Sequence, residues 1–161
     1  MCHMGRMPWL AVLLSALGLI PFIACGLAAL GPDLDMAARM LDALIGYAAV
    51  ALAFVGGIHW GFELQSDQQP RSLSRARLTL GILPLLVGWI CLVLPLVVAP
   101  WVSLVLLIIA YIAAVLAEHE AARRNLLPAR YLWVRWGFTV VAVAMMVTVL
   151  TLRLIGLTIR F

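Results

Sequence analysis

His59 and Glu63 stand four residues apart at the end of a long apolar run, in the segment FVGGIHWGFE at residues 54–63. An ionisable side chain within such a run is expensive to place in hydrocarbon, so it turns inward, finds a partner and commonly marks a ligand or proton pathway. At about 100° per residue, Gly56, His59, Trp60 and Glu63 share one helix face. Gly57 and Gly61 lie beside that face as a GxxxG pair, and Ile58 and Phe62 lie on the far side. Small residues let helices approach closely in lipid. The segment therefore presents a packed half of Gly56, Gly57 and Gly61 flanking a polar stripe. Two readings of the stripe stay open. His59 and Glu63 hydrogen-bond to each other as an i, i+4 pair at a helix end, or they serve a ligand or a proton.

A second set of polar residues falls at the same end of the molecule. It comprises Glu118-His119-Glu120, then Arg123 and Arg124, then Pro128-Ala129-Arg130-Tyr131-Leu132-Trp133-Val134-Arg135-Trp136. Arg135 has Tyr131 and Thr139 on its own face by i±4 spacing. It either pairs with Glu63 or snorkels to headgroups beside Trp133 and Trp136. Glu120 and Arg124 read as a surface i, i+4 pair. The candidate ligand- or partner-binding cluster is thus His59, Trp60, Glu63, Tyr131 and Arg135.

Other chemistries find little support. Haem held by His59 and His119 would need both rings at one depth on facing helices, and His119 sits between two glutamates at a segment boundary. There is no HExxH, GxSxG or embedded carboxylate pair for hydrolysis. Cys2, Cys25 and Cys91 match neither a metal motif nor a disulfide framework. Cys2-His3 with Met4 and Met7 has soft-metal character, but at a terminus, where chains fray. The expectation is a protein with no enzymatic activity, catalytic residue, cofactor or metal.

The elements that must position these residues follow from composition. Of 161 residues, 66% are hydrophobic and 11% charged, with a mean hydropathy of +1.13. Soluble domains are about 45–50% apolar and about 25% charged, so this chain is expected to take lipid as its solvent. Segments near the length of a membrane-spanning helix, about 20 residues, fall at about 8–30, 40–64, 78–97, 101–118 and 130–157. Pro95 and Pro100 mark the turn between the third and fourth, and Pro128 suits the first turn of the fifth. Pro21 and Pro84 are candidate kinks. No repeat or long linker divides the chain. The predicted fold is all-α: one integral membrane five-helix transmembrane bundle over residues 1–161.

All eleven basic residues are arginine, and they lie mainly in the short connections. That pattern fits the positive-inside rule rather than a nucleic-acid surface. With the N-terminus inside, eight arginines face the cytoplasm and three do not, so the N-terminus is expected to be cytoplasmic. Phe22-Ile23-Ala24-Cys25 loosely resembles a lipoprotein cleavage box. The apolar run around it is longer than an ordinary signal core of about 7–15 residues, so the segment is expected to stay as a helix.

ALGLIPFIA, AFVGGIHWG and NLLPARYLWVRWGFTVV occur in this order and spacing. Together they make the chain resemble a family of small membrane proteins known as a domain of unknown function. That family occurs in proteobacterial inner membranes and has a mitochondrial transmembrane relative in animals. The resemblance covers nearly the whole chain and implies a multi-pass protein of a bacterial inner membrane. It carries no activity, cofactor or catalytic residue. Two functions are expected. One is a non-enzymatic interaction or assembly module for membrane complexes, respiratory ones among them, docking a membrane-protein partner or a second copy of itself. The alternative is binding or transport of a small hydrophobic molecule, such as a quinone, a lipid or a proton-coupled solute, at the polar cluster.

Overall fold

The structure is a computed structural model describing residues 9–64, 71–123 and 129–156, with the side chains of residues 10–11, 59, 62–64, 71–80 and 129–130 outside that description. Among the described residues every regular element is helical. The elements are α1 (Trp9–Leu17), α2 (Ile20–Ala28), α3 (Leu34–Leu64), α4 (Arg71–Val93), a 3-10 turn (Leu94–Leu96), α5 (Pro100–Arg123) and α6 (Ala129–Leu154). The first expected segment is two helices rather than one. Pro21 has no N–H to give the Leu17 carbonyl, and its ring crowds that carbonyl. The chain breaks there through a tight turn in which the Leu19 N–H reaches the Ala16 carbonyl at 3.0 Å. The Tyr47 hydroxyl of α3 donates to the Gly18 carbonyl in this break, at 2.7 Å.

The second segment begins earlier than expected. Asp33 accepts the Asp35 and Met36 N–H groups through Oδ1 at 3.1 and 3.3 Å. It is an N-cap that starts α3 inside what reads as a charged loop. Pro100 opens α5 and Pro95 sits in the 3-10 turn, as expected of a turn between helices. Pro84 stays inside α4.

Packing follows seven-residue stripes. On α6 the buried side chains are Arg135, Thr139, Ala142, Met146, Val149 and Arg153, separated by alternate steps of four and three. On α5 they include Leu104, Leu107, Tyr111, Val115 and Glu118. Residues at this spacing line one side of a helix, and the two stripes meet where α5 packs along α6. Phe22 of α2 fills the centre. Its ring lies edge-on to Tyr47, Tyr111 and Phe138 at centroid distances of 5.2, 6.0 and 5.7 Å. Such edge-to-face pairs are a preferred aromatic geometry.

The pair α3–α4 is packed through glycine. A Cβ on Gly56 would run into the Gly81 carbonyl of α4, and one on Gly88 would lie 2.7 Å from the Ala49 carbonyl. Gly81 is covered by the Trp60 indole. Gly57 and Gly61 are different: a Cβ at either meets nothing within 4 Å. Of the three glycines expected to pack, Gly56 alone does so against described residues of this chain. The reason is rotation: α4 sits against the Gly56 side of α3 and leaves the GxxxG side open.

Among the described residues three helical stretches are long and apolar enough to cross a membrane: Leu34–Ile58, Pro100–Arg123 and Tyr131–Leu154. Val12–Ala28 and Gly81–Leu96 are shorter apolar stretches. Large apolar side chains such as Phe54, Trp89, Leu96 and Trp133 cover the outside. An apolar exterior and an equally apolar interior are consistent with a membrane protein.

The glycine contacts make a direct prediction. Gly56→Ala should lower the stability of the detergent-solubilised protein by about 1–3 kcal/mol, the usual cost of overpacking. Gly57→Ala should leave it unchanged or raise it by up to about 1 kcal/mol through helix propensity. Thermal unfolding of the three proteins side by side checks both.

Candidate functional site

The polar centre of the bundle is a salt bridge inside the α5–α6 interface. Arg135 Nε donates to Glu118 Oε2 at 2.9 Å, with the two side chains 5% and 0% exposed. Glu118 lies five residues from the end of α5 and Arg135 six from the start of α6. At about 1.5 Å per residue the pair is about 8–9 Å inside the helix ends. Two short facing stripes explain its formation. Glu118 continues the stripe of Tyr111 and Val115, and Arg135 opens the stripe of Thr139 and Ala142, so both charges are carried inward by the apolar periodicity.

The surroundings complete the geometry. The Tyr131 hydroxyl, one turn before Arg135, donates to Glu118 Oε1 at 3.4 Å, a long contact beside the short one. The Arg135 guanidinium carbon sits 5.9 Å from the centroid of the Tyr111 ring, within the range of a cation–π contact. Tyr111 is itself tied to α3, its hydroxyl donating to the Ala48 carbonyl at 2.9 Å. Glu118 and Tyr111 together hold the guanidinium between α5 and α6.

The arginine is only partly satisfied. Among the described residues, Nη1 and Nη2 of Arg135 are buried with no hydrogen-bond partner, as is Oγ1 of Thr139. Two threonines further along the same helix behave otherwise. Thr148 and Thr151 each donate back to the carbonyl four residues earlier, at 2.8 Å. Thr139 does not, so its hydroxyl stays open in the same buried stripe as the guanidinium.

Of the residues expected from sequence, the structure brings Tyr131 and Arg135 together, through Glu118. Among the described residues the acid on Arg135 is Glu118, and Arg135 is buried rather than snorkelling outward; its expected pairing with Glu63 falls on a side chain outside the described residues. The side chains of His59 and Glu63 lie outside the described residues. Trp60 rests on Gly81 of α4. His119 is exposed and sits edge-on to Trp136, with ring centroids 6.2 Å apart. The exposed pair at this end is Arg123 with Glu120, at 3.8 Å; Arg124 lies outside the described residues. Among the described residues no three His, Cys, Asp or Glu side chains converge to hold a metal ion. Glu118 and Thr139 are the residues that sequence reasoning undervalued, and their place on the seven-residue stripes is the signal that marks them.

A family model matches residues 7–151, through both GGIHWG and LLPARYLWVR. The chain belongs to that family. Its description is a protein of unknown function, DUF3429. No curated protein and no solved structure matches the chain. Membership therefore brings no assigned activity, and what this site does rests on its own residues.

The energetics of the pair are testable. Removing one member of a buried ion pair leaves the other charge uncompensated, at a cost of about 3–5 kcal/mol. Glu118→Leu should therefore be strongly destabilising. Glu118→Leu combined with Arg135→Met should recover much of the loss, because the charge and its desolvation vanish together. Unfolding of the single and double variants in one detergent measures the coupling.

Proposed function

We propose that this protein is a non-enzymatic binding module of a bacterial inner membrane that holds a small lipophilic molecule at the end of the bundle where α5 ends and α6 begins. The observation that carries this reading is the buried guanidinium of Arg135, fixed by Glu118 through Nε while Nη1 and Nη2 find no acceptor. Buried polar groups without partners are uncommon and costly. A site whose donors are complete only when a ligand arrives is one reason to keep them. The N-terminus is taken as cytoplasmic from the arginine distribution, which puts the cluster near the cytoplasmic face. Arg135 and Arg153 are internal and do not count as flanking charges, so the bias loses one arginine on each side and keeps its direction.

A second reading is supported by a different observation. The open GxxxG side of α3, Gly57 with Gly61, leaves room for another helix. On that reading the protein docks a membrane-protein partner, or a second copy, during the assembly of a membrane complex.

Native mass spectrometry of the protein extracted gently from its own membrane separates the two. A discrete added mass of small-molecule size is the expected result. A stoichiometric protein partner, lost in Gly57→Leu or Gly61→Leu, would favour the docking module. A bare monomer would overturn the small-molecule reading.

A further inference from the structure

Resting on the small-molecule reading above, we infer the chemistry of the occupant: a lipophilic molecule whose head carries an oxygen acceptor, carbonyl or carboxylate, received by Nη1 and Nη2 of Arg135 and by the Thr139 hydroxyl. Three observations carry this. First, the guanidinium is a planar fork whose Nε side is already taken by Glu118. What remains is the edge formed by its two terminal nitrogens, whose hydrogens suit a carbonyl or a carboxylate. These nitrogens have only donors to offer, so a cation or an amine head is the wrong partner. Second, the hydroxyl of Thr139, one turn from Arg135 on the same buried stripe, has no hydrogen-bond partner among the described residues, whereas Thr148 and Thr151 bond back to their own helix. A hydroxyl there gives the acceptor oxygen a neutral second donor. Third, the stripe around them is apolar and aromatic, with Tyr111, Phe22, Phe138 and Ala142 next along the interface. A head that leaves water for such a place must bring an apolar body with it.

In this arrangement Glu118 is a positioning residue. It holds Nε and leaves the other two nitrogens for the ligand. Tyr111 supports the guanidinium from below and anchors it to α3 through Ala48.

The test uses delipidated full-length protein in detergent and four probes. Menadione carries neutral planar carbonyls, laurate a carboxylate, dodecylamine a cationic head on the same tail, and dodecane no head at all. Binding is read from quenching of tryptophan fluorescence and confirmed calorimetrically. Menadione or laurate should bind saturably at one site, with dodecylamine and dodecane at least about tenfold weaker. The preferred probe of the first two tells a carbonyl source from a carboxylate source. Thr139→Val keeps the side-chain volume and removes the hydroxyl, and should weaken that probe about tenfold. Arg135→Lys keeps the charge opposite Glu118 but removes the fork, and should weaken it by at least as much. Should Arg135→Lys fail to fold, Thr139→Val decides the matter. Equal binding of dodecylamine, or unchanged binding in Thr139→Val, overturns the acceptor-oxygen inference even where a co-purified mass upholds the small-molecule reading. Absence of any bound probe, together with a bare mass spectrum, overturns both and leaves ordered water as the occupant.

Discussion

The Glu118–Arg135 pair constrains the rest of the bundle. A single charge at 0% or 5% exposure among apolar helices costs several kcal/mol, and a matched pair with a 2.9 Å hydrogen bond offsets much of it only while the two helices hold register. A shift of α6 along α5 by one residue would turn Arg135 away from its acid by about 100°. Apolar contacts between Leu, Val and Ala would tolerate such a slip far better. The ion pair therefore selects one alignment of α5 and α6 from several that greasy surfaces alone would accept. Tyr111 then extends the constraint to α3, and the Phe22 aromatic cluster extends it to α2.

The α3–α4 pair is held by a different device. Gly56, Gly81 and Gly88 remove side chains where the backbones come closest, and Trp60 covers the gap at Gly81. Helices in lipid gain little from burying apolar surface against one another, so contact density and backbone approach carry more of the association. The two halves of the bundle thus use complementary means. One is fixed in register by charge and the other brought close by the absence of side chains.

Much of this was legible in the sequence. Apolar run lengths located the helices, and the glycine run pointed to a close approach on α3. Arg135 with Tyr131 emerged as polar residues sharing a buried face. Glu118 as a partner of Arg135 was not legible because proximity between segments is not encoded in either segment alone. Glu63 and Glu118 both end apolar helices, and it is the α5–α6 adjacency that brings Glu118 to Arg135. The glycines were only partly legible. Gly56, Gly57 and Gly61 all look suited to packing, and which of them meets α4 depends on a rotation about the α3 axis that composition does not set. The early start of α3 was missed for a local reason: Asp33 and Asp35 read as loop charge, whereas Asp33 is the N-cap.

The two buried arginines of α6 form an internal comparison. They close the ends of one stripe, Arg135 and Arg153, eighteen residues and five turns apart. Arg153 lies where α2 ends and α3 begins, and there it meets backbone carbonyls. Nε and Nη2 donate to Ala29 at 3.3 and 2.9 Å, and Nη2 also donates to Ala37 at 2.8 Å. That is how an arginine looks when its task is to fasten a turn to a neighbouring helix. Arg135 lies between two regular helices and, unlike Arg153, takes no backbone carbonyl among the described residues. Glu118 takes Nε, and the terminal nitrogens are buried without an acceptor among the described residues, with the guanidinium carbon over the Tyr111 ring. A methionine there would pack the same interface without desolvating a charge. The asymmetry between the two ends of the stripe, one arginine filled by the fold and the other left with donors over, is the strongest physical reason to look for a ligand at the second.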